Sequence, residues 1–157
     1  MPKYDSLLFE GDFAVGSTQY SDHYPGHEWQ NHIVIPLAPS QNKSMSIKVI
    51  VDTAAKWCII HPEIAQEWEK YFFYTYDLEQ PLNIRGMKFE KGKIAHANVV
   101  LNASNGKDLV IEAKFFIPIL SPDQIWSFPN FIGLDGMLNC IRFAVDPSEN
   151  AISFGKS

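Results

Sequence analysis

Cysteine is scarce in this sequence of 157 residues, which contains only Cys58 and Cys140. A structural metal site needs several Cys or His residues at close spacing, and neither cysteine has such neighbours. A chain of this length buries a sizeable core without disulfide staples. Both cysteines lie in or beside apolar runs, and free cysteine is among the most buried residue types. We therefore expect two buried, reduced thiols with a structural role.

Long apolar runs and an excess of positive charge are also missing. The longest near-apolar run, Phe115–Leu120, is far too short to cross a bilayer, so we expect no membrane partner. Lys and Arg are scattered and the formal net charge is −5, so we expect no nucleic-acid partner. The first residues, from Met1 to Asp5, lack the charged-then-apolar pattern of a signal segment. We therefore expect a cytoplasmic protein.

Short strand-like runs broken by turn residues characterise most of the chain. Hydrophobic residues make up 46 % and charged residues 20 %, as in an ordinary globular protein. His32–Leu37 and Met45–Val51 flank a polar turn, and we predict that they pair as a hairpin. The other predicted strands are Leu82–Arg85, Lys93–Leu101, Leu109–Ile117, Phe143–Val145 and Ala151–Phe154. One helix is predicted from about Pro62 to residue 72, so the fold is mainly β with one or two small helices.

The chain shows no internal repeat and no low-complexity tract, which predicts one continuous domain over residues 31–157. Residues 1–30 contain Gly16 and several other turn-forming residues that break up regular structure. We interpret this segment as an N-terminal extension of unclear role. Within the domain, Asn105-Gly106 has the composition of a tight hairpin turn, and we predict that it joins the strands at 93–101 and 109–117.

Asp52 follows an apolar run directly and is itself followed by the small residues Thr53, Ala54 and Ala55. Burying a lone carboxylate is costly, so an acid at such a position is usually paired, protonated or functional. The small residues indicate a tight turn that presents the acid beside closely packed backbone. On these residues alone two interpretations stay open, an aspartate that caps a turn and a catalytic aspartate.

A second motif, Ile132 to Asp135, comes late in the chain and precedes a closing pair of strands. Retropepsin-like aspartic proteases combine an apolar strand entering Asp-Thr-Gly-Ala with a later Ile/Leu-Gly-x-Asp and a final hairpin. The chain resembles this family, and most of all its bacterial and cellular members, over roughly residues 33–155. The resemblance implies an all-β fold, a retropepsin-like closed β-barrel with one or two short helices. It also implies an aspartic-type endopeptidase, a hydrolase of peptide bonds.

A homodimer follows from the resemblance, because the chain carries a single Asp-Thr motif. Each chain would supply one Asp52, and the two carboxylates would share a proton because like charges so close cannot both ionise. One activates a water, while the other polarises the scissile carbonyl of a peptide or protein substrate. No metal and no cofactor is expected. By the same resemblance Thr53 braces the pair across the dimer axis, with Ala54 and Ala55 in supporting positions.

The family also has a flap, a β-hairpin that closes over the substrate. Its place in the pattern corresponds to Leu82–Gly92, and Ile84, Arg85, Gly86 and Met87 are the predicted flap residues. An ordinary surface hairpin is the alternative interpretation, because the assignment rests on position in the pattern alone.

The sequence departs from the family pattern at two places. Ala54 stands where the family usually has glycine, and a β-carbon there crowds the catalytic pair or the substrate backbone. The hairpin also lacks a glycine-rich tip, because Met87 and Lys88 follow Gly86 directly. Both departures favour an alternative function, a catalytically weak or silent module that holds an extended peptide by strand addition. A monomeric all-β domain with a structural Asp52 is a third interpretation.

A histidine-rich segment with His23, His27, Glu28 and His32 is the other candidate for chemistry. His23 and His27 have the spacing of metal ligands on one helix face, but the turn residues between them argue against a helix. We therefore predict a solvated loop here and no metal site.

Asp135 and Asp146 lie near the motifs but are predicted to be structural acids. Asp135 is placed to cap or brace a short helix after Gly133, and Asp146 with Pro147 begins the final hairpin turn.

Overall fold

A computed structural model describes residues 13–28 and 31–156. This part of the chain contains thirteen β-strands and one α-helix. The strands are β1 Gly16–Gln19, β2 Val34–Pro39, β3 Ile47–Val51, β4 Cys58–Ile59, β5 Phe72–Leu78, β6 Leu82–Ile84, β7 Met87–Phe89, β8 Lys91–Leu101, β9 Asn105–Gly106, β10 Leu109–Ile119, β11 Phe131–Ile132, β12 Ile141–Asp146 and β13 Ala151–Lys156. The helix α1 spans Pro62–Trp68, and short 3-10 helices span Lys43–Met45, Glu69–Tyr71 and Leu138–Cys140.

Six strands close into a barrel in the order β10-β4-β11-β3-β2-β8, with β8 pairing back onto β10. The two longest strands, β8 and β10, form one antiparallel ladder from Leu109 opposite Leu101 to Ile119 opposite Lys91. On the edge of β8 that faces away from β10, β2 pairs with one part of the strand and β5 pairs with the rest. The prediction of an all-β fold, with a closed barrel and a short helix, is confirmed.

Along the two long barrel strands, β8 and β10, buried and more exposed residues largely alternate, so one face of each strand points into the barrel. The predicted hairpin is confirmed, since β2 pairs antiparallel with β3 from Val34 opposite Ile50 to Leu37 opposite Ile47. Fully buried core side chains include Leu37, Val49, Trp68, Ala97, Val99, Phe115, Ile132 and Met137.

A second sheet has the strand order β12-β13-β1-β9. Strand β1 lies in its interior, with Gly16 opposite Phe154 on one side and opposite Gly106 on the other. Residues 16–19, part of the predicted N-terminal extension, are therefore a strand of this sheet. Residues 1–12 and 29–30 of that extension lie outside the described residues.

The predicted helix is shorter than expected. It ends at Trp68, a 3-10 turn follows, and Phe72 already begins β5. The residues of β5 are mostly aromatic, and such residues favour an extended chain that packs on a neighbouring strand. The helix start is as predicted, with Pro62 in the first turn and the His61 side chain accepting a hydrogen bond from the Glu63 N–H. No helix in the described ranges is long and apolar enough to span a membrane.

The prediction that Asn105-Gly106 lies between two paired strands is confirmed, because β8 and β10 pair antiparallel, but the prediction of a tight turn is wrong. These residues form β9, which pairs with β1, and the connection between β8 and β10 is a longer loop. Asp108 holds this loop, because its Oδ1 accepts from the Ala103 N–H at 2.7 Å and its Oδ2 from Lys43 Nζ at 2.9 Å. The turn is therefore wide, so that its tip can serve as a strand of the second sheet.

The prediction of two buried thiols is correct for Cys58 and wrong for Cys140. Both are free, but Cys58 is buried and Cys140 is exposed. Burial raises the pKa of the Cys58 thiol to about 12, so this group stays protonated at neutral pH. Cys140 lies at the end of a 3-10 helix that Leu138, not the cysteine, anchors in the core.

Candidate active site

Asp52 is the first residue after β3, and the backbone of the late motif holds it in place. Its N–H donates to the carbonyl oxygen of Ile132 at 3.0 Å, which continues the parallel pairing of β3 with β11. Its side-chain Oδ1 accepts from the N–H of Ala54 at 3.0 Å, which closes a tight turn. The chain therefore presents the Asp52 carboxylate at a strand end, as predicted, with one oxygen bound to backbone.

The two motifs are joined by close backbone contacts. Strand β11 lies between β3 and β4, and the N–H of Leu134 donates to the carbonyl oxygen of Ala55 at 2.8 Å. Gly133 passes so close to the loop after Asp52 that a β-carbon on it would lie 2.5 Å from the Trp57 carbonyl oxygen. This close approach is the physical reason for glycine at the second position of the late motif.

A cleft of about 400 Å³ opens beside Asp52. One wall is the loop from Asp52 to Trp57, and the opposite wall is the stretch Leu82–Arg85. Ile59 and Phe131 add apolar side chains to its lining. An apolar cleft with one convergent carboxylate is the usual form of a binding or active site.

The stretch Leu82–Arg85 belongs to a β-hairpin made of β6 and β7. Its two-residue turn is Arg85-Gly86, with φ of 49° and 84°, the positive values that a tight type I′ turn requires. Ile84 and Met87 flank the turn and are half-buried against the cluster around Phe131. All four predicted flap residues therefore lie at the tip of one hairpin, and that hairpin lines the cleft.

Arg85 contacts Asp52 directly, a pairing that the sequence motifs did not predict. Its Nη2 donates to Asp52 Oδ2 at 3.1 Å, and the two side chains are 37 % and 22 % exposed. The guanidinium also lies over the Phe131 ring, with its Cζ 4.8 Å from the ring centroid. One feature of the sequence was unusual at this position. Type I′ turns favour Asn, Asp or Gly where Arg85 stands, so an arginine there suggests that its side chain has a role.

The three residues after Asp52 lie where the sequence predicted, in the turn before β4. Thr53 is exposed, and its hydroxyl has no hydrogen-bond partner among the described residues. Ala54 is exposed and lines the cleft, and its backbone is not in the left-handed region. Glycine is therefore not needed for backbone conformation at position 54. Ala55 is half-buried and packs against the cluster that contains Phe131.

The pKa of His32 responds to the charges of Arg85 and Asp52. Burial lowers the pKa of His32, the positive charge of Arg85 lowers it further, and the charge of Asp52 opposes this shift. Its Nε2 is buried without a hydrogen-bond partner in the described part of the chain. A neutral imidazole is therefore favoured at position 32, although His32 does not line the cleft beside Asp52.

The remaining histidine-rich segment does not converge on the cleft. His23 Nδ1 lies 2.9 Å from Asp22 Oδ1, and the Glu28 carboxylate accepts from the Gly26 N–H at 3.0 Å. Across residues 13–28 and 31–156, no group of three or more His, Cys, Asp or Glu side chains is arranged to hold a metal ion.

Asp135 and Asp146 have local partners. Asp135 Oδ1 accepts from Asn139 Nδ2 at 3.1 Å, which braces the turn after Gly133. Asp146 Oδ1 accepts from both the N–H and the hydroxyl of Ser148, which organises the turn between β12 and β13. Neither carboxylate lines the cleft beside Asp52.

A scan against protein-family models finds no match, and no curated protein matches the chain. Among solved structures, the crystal structure of a retropepsin-like aspartic protease from Rickettsia conorii is similar, with 17 % sequence identity and a TM-score of 0.49. The alignment covers 89 % of this chain and 91 % of that one. This neighbour comes from the family that the two sequence motifs resemble.

Proposed function

We propose that this chain is an aspartic endopeptidase that acts as a homodimer, with Asp52 of each chain forming the catalytic pair. The observation that carries the proposal is the position of Asp52. Among residues 13–28 and 31–156 it is the one carboxylate that lines the cleft, and the backbone of both motifs holds it there. The substrate is a peptide or protein, and we propose the cytoplasm as the place of action.

The chemistry needs the two carboxylates and a water. The unprotonated Asp52 takes a proton from the water while the water oxygen bonds to the scissile carbonyl carbon. The protonated partner donates a hydrogen bond to the carbonyl oxygen. The tetrahedral intermediate collapses as the carbon–nitrogen bond breaks, and the leaving nitrogen takes a proton from the pair. One proton is held between the two aspartates because two like charges so close cannot both ionise.

The surroundings of Asp52 support a site completed by a second chain. Thr53 and Ala54 are exposed next to it, so a partner chain has access to this edge of the loop. The Thr53 hydroxyl is available to brace the pair across a two-fold axis. A C2 interface is self-complementary, so one strand-end aspartate from each chain meets its own copy at the axis.

The β6–β7 hairpin is proposed to act as the flap. It forms the wall of the cleft opposite the Asp52 loop, and Ile84 and Arg85 line that wall. An extended peptide between the two walls would place its backbone beside Asp52. Its side chains would meet the apolar surfaces of Trp57, Ile59 and Phe131.

A peptide-binding module without strong activity is the second candidate, and two observations favour it. The Ala54 methyl group lies at the cleft, where it takes up space beside Asp52. Arg85 already pairs with the Asp52 carboxylate, which reduces the charge available to activate a water. In this alternative the cleft holds an extended peptide and leaves it intact.

Cleavage of a mixed peptide library tests the proposal. Wild type, Asp52→Asn and Asp135→Asn are compared at acidic and neutral pH, with dimer content measured for each. We expect cleavage by wild type and Asp135→Asn and none by Asp52→Asn, because Asp135 is the matched acid outside the cleft. Binding without cleavage in all three dimeric proteins would favour the module instead, and cleavage by Asp52→Asn would show that Asp52 is not the catalytic acid.

A further inference from the structure

We propose that Arg85 is a latch that holds the β6–β7 hairpin closed over Asp52 until a peptide in the cleft displaces its guanidinium. The catalytic consequence of this proposal rests on the proposed protease function, whereas the closed hairpin does not. The latch is the Nη2 to Oδ2 contact of 3.1 Å between residues 33 positions apart in the sequence.

The hairpin is anchored at its base by fully buried contacts, whereas half-buried apolar side chains and the Arg85 contact hold its tip. Phe89 at the end of β7 is buried and packs against Phe116 and Trp126 at ring distances of 5.9 and 6.0 Å. Gln124 Nε2 donates to the carbonyl oxygen of Lys88 at 2.6 Å. In the described residues, by contrast, β6 and β7 pair only with each other. A two-stranded hairpin is marginally stable alone, so side-chain contacts decide where the tip lies.

Arg85 supplies the polar contact at that tip. Arg85 and Gly86 are both exposed, while the Arg85 guanidinium reaches across the cleft to Asp52 and rests on the Phe131 ring. The Asp52 side chain is more shielded than that of Arg85, with 22 % against 37 % exposed, so solvent screens the pair only in part. Displaced, the arginine side chain can move into water without crossing a packed region.

The backbone of Arg85 is in a conformation that arginine rarely adopts. Its φ of 49° lies in the left-handed region, where a residue with a long side chain is unusual. Asn or Gly would fill this turn position without that cost. Strain of this kind is concentrated at ligand clamps and switch regions, and the side chain at this position is the one that contacts Asp52.

The Arg85 contact and the proposed chemistry both need Asp52 Oδ2, so they cannot occur at the same time. A guanidinium on Asp52 Oδ2 occupies the side of the carboxylate that a shared proton or a water needs. The unliganded site is therefore closed and quiescent. A peptide that enters between the hairpin and the Asp52 loop both lifts the tip and frees the acid.

Hydrogen exchange of the full-length protein tests the latch without any need for activity. Backbone exchange of residues 82–89 is measured by mass spectrometry in wild type, Arg85→Gln, Asp52→Asn and the double variant. In Asp52→Asn the amide oxygen can still accept from the Ala54 N–H, so its nitrogen faces Arg85 and the pair is lost while the turn is kept. Lys88→Gln is the matched control, because Lys88 is a cation of the same hairpin that pairs with Glu90 at 3.2 Å.

We expect exchange of the hairpin to be about fivefold faster in Arg85→Gln and in Asp52→Asn. The double variant should be no faster than either single variant, and Lys88→Gln should match wild type. Wild-type exchange rates in Arg85→Gln would overturn the latch. An exchange rate in the double variant that equals the product of the two single effects would overturn it as well. The two side chains would then not act through one contact.

Cleavage by the same proteins tests the consequence for activity. Arg85→Gln should cleave severalfold faster than wild type at low substrate, and Arg85→Lys, which keeps the charge without the planar fork, should lie between them. Slower cleavage by Arg85→Gln would overturn the release step. If no variant cleaves while the exchange pattern is as expected, the protease function fails and the latch stands as a gate on a peptide-binding cleft.

Discussion

Gly133 lies directly against the carbonyl oxygen of Trp57. A β-carbon on Gly133 would lie 2.5 Å from that oxygen and 2.6 Å from the carbonyl oxygen of Ala55. Both atoms belong to the loop that presents Asp52, so the two sequence motifs, far apart in the chain, act as one packed unit. The glycine of the late motif therefore sets how closely β11 can support the Asp52 loop.

Gly133→Ala should lower the free energy of unfolding by roughly 3 kcal/mol, because backbone atoms must shift to admit the methyl group. Urea unfolding measures this loss. Gly26→Ala is the control, since its β-carbon meets open space and its φ of 83° costs only about 1–2 kcal/mol. A Gly133→Ala protein that is no less stable than Gly26→Ala would contradict the close packing of the two motifs.

Ala54→Gly should raise the rate of peptide cleavage, since the Ala54 methyl group lines the cleft beside Asp52. Relief of roughly 1 kcal/mol of crowding in the transition state corresponds to about a fivefold gain. The backbone at position 54 is not left-handed, so glycine brings no conformational benefit. Stability should fall by about 0.4–1 kcal/mol because the unfolded chain gains freedom.

The measurement compares initial cleavage rates of wild type and Ala54→Gly, with Asp52→Asn as the blank and the dimer content of each protein confirmed. An unchanged rate in Ala54→Gly would show that the methyl group does not limit activity. Absence of cleavage in both dimeric proteins would instead favour the peptide-binding module.

The Asp108 carboxyl should make the free energy of unfolding depend on pH. A hydrogen bond from the Ala103 N–H, and then one from Lys43, lowers the pKa of the Asp108 carboxyl below its ordinary value of 3.8. The folded state thus binds a proton less readily than the unfolded state. The stabilisation is complete above the ordinary value and is lost as the pH falls through the lowered one.

Asp108→Asn should therefore be less stable than wild type by about 0.5–1 kcal/mol at neutral pH, a small loss because solvent partly screens the Lys43 pair. The difference should narrow below about pH 4, as the wild-type carboxyl becomes protonated. Urea unfolding from pH 7 to pH 3 measures it. Glu90→Gln serves as control, because its partner Lys88 is exposed. A difference that stays constant over this range would contradict the assignment.

Local sequence patterns predicted much of the fold and the position of the acid. The strand β3 and the small residues after it predicted Asp52 at a strand end, because apolar alternation and turn chemistry act within a few residues. The helix start at Pro62 followed from the same kind of local signal. In each case the deciding contacts are near in sequence.

The missed features depend on contacts between distant segments. Asn105-Gly106 has turn composition, yet β1 recruits it as a strand, and β1 itself lies in a segment with few strand signals. The aromatic residues of β5 continue the apolar pattern of α1, so the strand is visible only from its pairing with β8. The Arg85–Asp52 pair could not be predicted for the same reason, because it depends on how the barrel places the hairpin over the loop.

Subunit mixing tests the central claim, that one Asp52 from each of two chains forms the active site. A fixed amount of wild type is equilibrated with a roughly ninefold excess of Asp52→Asn, so random pairing leaves about one-tenth of wild-type chains in all-wild-type dimers. We predict that cleavage falls to about one-tenth of its starting rate, while the same excess of Asp135→Asn adds activity. Cleavage that stays constant as Asp52→Asn is added, with mixed dimers confirmed, would contradict a shared pair of aspartates.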